Sequence, residues 1–128
     1  MTGGNFMEDY TFTDAVLQDY KTGMGAMSEK LPKLMKSFHE FTEVSFEEGE
    51  ISQKYKQLIA LAVSVYAHSE YCIIYHTKAS MDAGSTVPEV LEAVGVAAAL
   101  GGGSALSQAV TLVMQTIDEI QENPKPLQ

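Results

Sequence analysis

An all-α fold is predicted for this chain from three observations. No stretch alternates apolar and polar residues as a half-buried strand would. Apolar residues instead recur at three- and four-residue spacing, as in Leu31, Leu34, Met35, Phe38 and Phe41. The breaks between such runs carry helix punctuation: a hydroxyl or proline at the start, a glycine at the stop. At 128 residues with 45% hydrophobic content, one core is possible and one domain is expected. Its bounds are set at 10–122, between a flexible N-terminus (1–9) and a C-terminal tail (123–128).

Each element follows from its own residues. Thr13 is a candidate cap for a first helix carrying Val16, Leu17 and Tyr20, interrupted near Gly23 and Gly25. Pro32 suits the first turn of a second helix, and Phe46-Glu47-Glu48-Gly49-Glu50 reads as a loop. A third helix follows Ser52, with Tyr55, Leu58, Ile59, Ala62, Val63 and Tyr66 expected on its buried side. Ser69 is placed as the cap of a fourth, which puts Cys72 at its third position, and Gly84 suits the left-handed stop. Thr86-Val87-Pro88-Glu89 has capping-box spacing and opens a fifth helix that runs to Leu100. Gly101-Gly102-Gly103 is read as a break with close backbone approach, Ser104 as the cap of a final helix, and Asn123-Pro124 as its end. The third to fifth helices are apolar over broad arcs, which suggests burial against other subunits as well as a monomer core.

The totals exclude several functions. Eight basic residues against seventeen acidic ones give a net charge of −9. No basic patch is available for nucleic acid or an anionic membrane surface. One cysteine cannot build a disulfide framework, and the three histidines lack HxxxH or HExxH spacing, so no metal is expected. No signal peptide and no run of about 18 apolar residues is present, so a cytoplasmic location without a membrane span is expected.

Chemistry concentrates in Ser69-Glu70-Tyr71-Cys72-Ile73-Ile74-Tyr75-His76. On a helix, Cys72 and His76 stand at i and i+4, where an imidazole can act on a thiol. The thiolate is the nucleophilic form of cysteine, and a cationic neighbour or a helix start favours it. His76 is the candidate general acid/base, because imidazole titrates near neutral pH. Against this stands the ordinary reading of a lone cysteine as a small buried hydrophobe and of a lone histidine as a structural donor.

The order of several motifs resembles the AhpD-like, carboxymuconolactone decarboxylase superfamily. They are Leu31-Pro32-Lys33-Leu34-Met35, Lys56-Gln57-Leu58-Ile59-Ala60-Leu61-Ala62-Val63, Tyr71 to Thr77, Ala83 to Ala93 and the glycines 101–103, together spanning about 30–118. The resemblance implies a helical protomer that assembles as a trimer or hexamer. In the AhpD branch a CxxC pair, a histidine four residues on and a glutamate on the preceding helix carry peroxidase and disulfide-reductase chemistry. Position by position, the second cysteine matches Cys72 and the histidine matches His76. The first cysteine is Ser69 here, and the glutamate is Gln57. Serine cannot close a disulfide and glutamine cannot take up a proton at neutral pH, so the full dithiol cycle is closed to this chain.

The resemblance therefore implies a one-cysteine oxidoreductase or peroxidase-like protein. Cys72 would attack, His76 would manage the proton, and Ser69 and Gln57 would complete the site. With no resolving cysteine, an external thiol or a peroxiredoxin-like partner would have to regenerate Cys72. No cofactor is expected. Two alternatives are cofactor-free acid/base chemistry, as in the decarboxylase branch, and a non-catalytic oligomer that kept the scaffold.

Overall fold

The computed structural model describes residues 10–124. The flexible N-terminus expected over 1–9 and the last four residues of the expected tail lie outside the described residues. Among the described residues six α-helices succeed one another: α1 (Phe12–Lys30), α2 (Pro32–Ser45), α3 (Gln53–Tyr66), α4 (Glu70–Asp82), α5 (Val87–Gln108) and α6 (Met114–Glu122). A π-helical segment, Ala109–Val113, joins the last two, and no strand occurs among the described residues.

Local chemistry sets most boundaries. The Thr11 side chain accepts from the Asp14 N–H, and the Asp14 carboxylate accepts in turn from the Thr11 N–H, so α1 opens on a capping box. This corrects the expected cap by two residues: Thr13 lies inside the helix, buried, and its N–H donates to Glu119 Oε1 at 2.8 Å. That bond docks α6 on the start of α1. Burial pushes the Glu119 carboxyl up, but hydrogen bonds from Thr13, Gln115 and Thr11 together outweigh this and hold it below its ordinary value. Gly23 and Gly25 do not interrupt α1, because the helix runs through both. Ser52 caps α3 and Thr86 with Glu89 forms the expected capping box of α5. Gly84 takes the left-handed stop at φ 101°.

The core is built where α3, α4 and α5 meet. Leu58, Leu61, Val65, Ile73, Val90, Val94, Ala97, Ala105, Ala109, Val113 and Ile117 form one buried cluster. On α3 the predicted buried side is therefore turned: Leu61 and Val65 are sealed, whereas Tyr55, Ile59, Val63 and Tyr66 are each more than half exposed. A helix apolar on two sides leaves the inward side open to choice, and packing against α4 and α5 decides it. Lys54 Nζ pairs with Glu89 Oε2 at 2.9 Å and ties the start of α3 to the start of α5.

The glycine run breaks the helix direction at one residue only, Gly102 (φ 74°, ψ −159°). A Cβ on Gly101 would stand 2.8 Å from the Ala105 Cβ and 3.3 Å from the Tyr66 ring, which is the expected close approach. Ser104 does not cap the helical stretch beyond the break, and its hydroxyl faces the His68 ring at 3.5 Å. His68 itself has a positive φ of 61°, in the turn between α3 and α4. The continuous helical stretch Val87–Glu122 is long and apolar enough to cross a membrane by length and composition. Only 22% of its most apolar window is buried.

Candidate functional site

Helix α4 carries the two candidate side chains, Cys72 and His76, and three other elements complete their surroundings. Glu70, Tyr71 and Cys72 are its first three residues, so Cys72 occupies the predicted third position. Ser69 precedes them as the boundary residue, yet its side chain makes no capping hydrogen bond. The reason is backbone geometry. Thr11, Ser52 and Thr86 cap with ψ of 169°, 155° and 162°, whereas Ser69 has ψ 96°. At that ψ its hydroxyl is not aimed at the first-turn N–H groups.

His76, one turn after Cys72, is engaged from α3. Its Nδ1 lies 2.8 Å from Gln57 Oε1, a contact across nineteen residues of sequence. With the amide oxygen as acceptor, Nδ1 carries the proton and Nε2 keeps its lone pair. Burial pushes the His76 pKa down to about 4, so the ring is neutral at physiological pH. A neutral ring supplies no positive charge to a Cys72 thiolate. No hydrogen bond joins Cys72 to His76 or to Ser69 among the described residues, so Ser69 lies outside the bonded cluster and Gln57 inside it.

Aromatic rings enclose the pair. Phe46, at the end of α2, stacks on His76 with centroids 5.7 Å apart and planes at 12°. Lys56 holds this corner by donating from Nζ to the Ser45 and Glu47 carbonyls at 3.1 and 2.6 Å. Tyr75 meets His76 edge-on at 5.0 Å, and Tyr71 lies 6.0 Å from Tyr75. Tyr20, from α1, stacks on Tyr71 at 3.6 Å and 9°. Burial raises the pKa of all three phenols; for Tyr20, proximity to Cys72 is the next cause, and for Tyr71 it is a lesser one. They therefore stay protonated around neutral pH, and Cys72, a partly exposed free thiol, sits on their side of α4.

The sequence singled out Cys72, His76, Gln57 and Ser69, and three of these four flank one aromatic-walled site. Phe46 and Tyr20 were missed, since nothing local signals that a residue thirty or fifty positions earlier will stack there. Tyr71 was legible as Cys72's neighbour and as Tyr75's i,i+4 companion. Among the described residues no three His, Cys, Asp or Glu side chains gather as a metal would require.

An all-helical chain with a single thiol and a partly buried histidine on one helix is the class that the geometry defines. The chain belongs to the carboxymuconolactone decarboxylase family, whose pattern matches residues 32–115. A carboxymuconolactone decarboxylase family protein from Legionella pneumophila superposes with a TM-score of 0.77 at 26% identity, covering 88% of this chain and 97% of that one. A Thermotoga maritima member of the family superposes with a TM-score of 0.65 at 20% identity, over 81% and 97% of the two chains. In sequence, protein 4 of the cox locus of Paracoccus denitrificans is 29% identical over 107 residues, 84% of this chain and 96% of that protein. The family assignment and the all-α fold agree with the resemblance read from the motifs.

Proposed function

We propose that the chain is a thiol-dependent oxidoreductase in which Cys72 is the nucleophile and neutral His76 the base. The observation that carries this reading is the 2.8 Å contact of Gln57 Oε1 with His76 Nδ1, one helical turn from Cys72. Gln57 holds the Nδ1 proton, which leaves Nε2 as a lone pair on the helix that presents Cys72. In the proposed reaction Nε2 takes the Cys72 proton as sulfur attacks a hydroperoxide. The O–O bond breaks, one oxygen stays on sulfur as a sulfenic acid, and the other leaves as an alcohol after receiving the proton. One external thiol then condenses with the sulfenic acid, releasing water and forming a mixed disulfide. A second thiol releases Cys72 and leaves as the oxidised disulfide. The same site can open a disulfide substrate by thiolate exchange. A reducing compartment such as the cytoplasm supplies such thiols.

The test is the rate of Cys72 oxidation by a hydroperoxide, followed by mass spectrometry. Acceleration over free cysteine is expected, with a loss of about 100-fold in His76→Ala. A wild-type rate equal to that of free cysteine refutes the proposal.

A second reading rests on the same neutral ring, with His76 Nε2 taking a proton from carbon without any thiol. Turnover of a small carbon acid that survives Cys72→Ser but not His76→Ala would select it.

A further inference from the structure

Helix α2 is held to its own protomer by very little. Met35 is its only buried side chain, and the remainder of its apolar stripe faces outward. Leu31, just before the helix, and Leu34, Phe38, Phe41 and Val44 are between 47% and 72% exposed. A fourteen-residue helix with one anchor is marginal by itself, since helices in water draw their stability from an apolar face that is covered. Yet α2 ends on Phe46, the ring stacked on His76.

We propose that this stripe is covered by the α2 helix of a second copy, running antiparallel to the first about a twofold axis near Ser37. The proposal does not rest on the thiol chemistry. Its first support is area. Five half-exposed side chains at on the order of 100 Å² each offer on the order of 500 Å² of apolar surface. With a polar rim this reaches the roughly 800 Å² per partner, about three-fifths apolar, of a standard interface.

Its second support is charge order. Lys33 and Lys36 stand in the first half of α2 and Glu40 and Glu43 in the second, with no acid in the first turn and no base in the last. The helix dipole favours the reverse, so this order is unfavourable within one helix. In the Lys36–Glu40 pair (4.0 Å) the lysine precedes the glutamate, the weaker i,i+4 orientation. At about 100° per residue, Lys33 and Glu40 fall on the edge of the stripe marked by Val44. An antiparallel copy sets Lys33 beside the partner's Glu40, twice by symmetry, and brings Leu34 against the partner's Phe38 and Phe41. The same midpoint, close to residue 37, serves both the charges and the stripe.

Such a contact is isologous, so it pairs protomers and builds assemblies with an even number of copies. Sedimentation and crosslinking test it on the full chain. The wild type is expected to have an even-numbered mass, and Phe41→Glu, at a site too exposed to matter for protomer folding, is expected to halve that mass. Lys33→Glu and Glu40→Lys, each placing like charges opposite, should weaken the pair by roughly threefold to tenfold. Combining the two substitutions should restore it. In a Cys72→Ser background, Ser37→Cys lies at the axis and should oxidise to a disulfide dimer. Val44→Cys should not, because its two copies stand about 20 Å apart. A monomer at about 100 μM, a trimeric mass, an assembly indifferent to Phe41→Glu, or flotation with lipid vesicles through Phe41 overturns the proposal. Crosslinking of Val44→Cys overturns the antiparallel arrangement.

Discussion

Helices α2 and α4 are almost the same length and are used in opposite ways. Fourteen residues of α2 bury one side chain, whereas thirteen residues of α4 bury six: Ile73, Ile74, Thr77, Lys78, Ala79 and Ser80. In sequence α2 has the cleaner amphipathic stripe, and α4 mixes hydroxyls and a lysine among its apolar residues. The buried polar groups of α4 are largely served from within the helix. Thr77 Oγ1 donates to the Ile73 carbonyl at 2.7 Å, and Lys78 Nζ stands 3.6 Å from Asp82. A clean stripe therefore marks an apolar face that this chain alone leaves exposed. It does not mark the helix that the protomer core selects.

Four measurements press on that contrast. The largest effect is expected at the centre of α4. Ile73 is fully buried, and Ile73→Ala should cost about 3 kcal/mol of unfolding free energy, read from denaturant midpoints. A loss below about 1 kcal/mol would show that α4 is less tightly packed than its burial indicates.

Next comes the pH dependence of the site. His76 is held at about 4 in the folded chain against about 6.5 unfolded, so only the unfolded state gains a proton between these values. Stability from the neutral ring is complete above pH 6.5 and is lost as pH falls, by about 2 kcal/mol at pH 5. Urea midpoints at pH 7.5 and 5 should show this, and His76→Gln should flatten the difference. Gln57→Glu should move the His76 titration, followed by NMR, upward by about one to three units, since it sets an anion at hydrogen-bonding distance.

The smallest effect is expected on α2. Phe41→Ala, at low concentration where protomers are separate, should change stability by less than about 0.5 kcal/mol. An effect as large as that of Ile73→Ala would erase the contrast between the helices.

The sequence made legible the features that depend on neighbours within one turn. The Ser52 cap, the Thr86–Glu89 box, the Gly84 stop and the i,i+4 placement of Cys72 and His76 all appear in the structure as read. These rest on hydrogen bonds and steric rules that span three or four residues. Where two neighbouring hydroxyls compete, as Thr11 and Thr13 do, the same rules leave the choice open, and the return bond from Asp14 decides for Thr11.

The tertiary structure alone decided which side of α3 faces inward, that Phe46 and Tyr20 wall the site, and that His76 is neutral. Each depends on groups far away in sequence, and local pattern carries no record of them. Desolvation in particular is a property of everything packed around a side chain. The imidazole that the spacing placed one turn after Cys72 is thereby kept neutral, with Gln57 at its Nδ1.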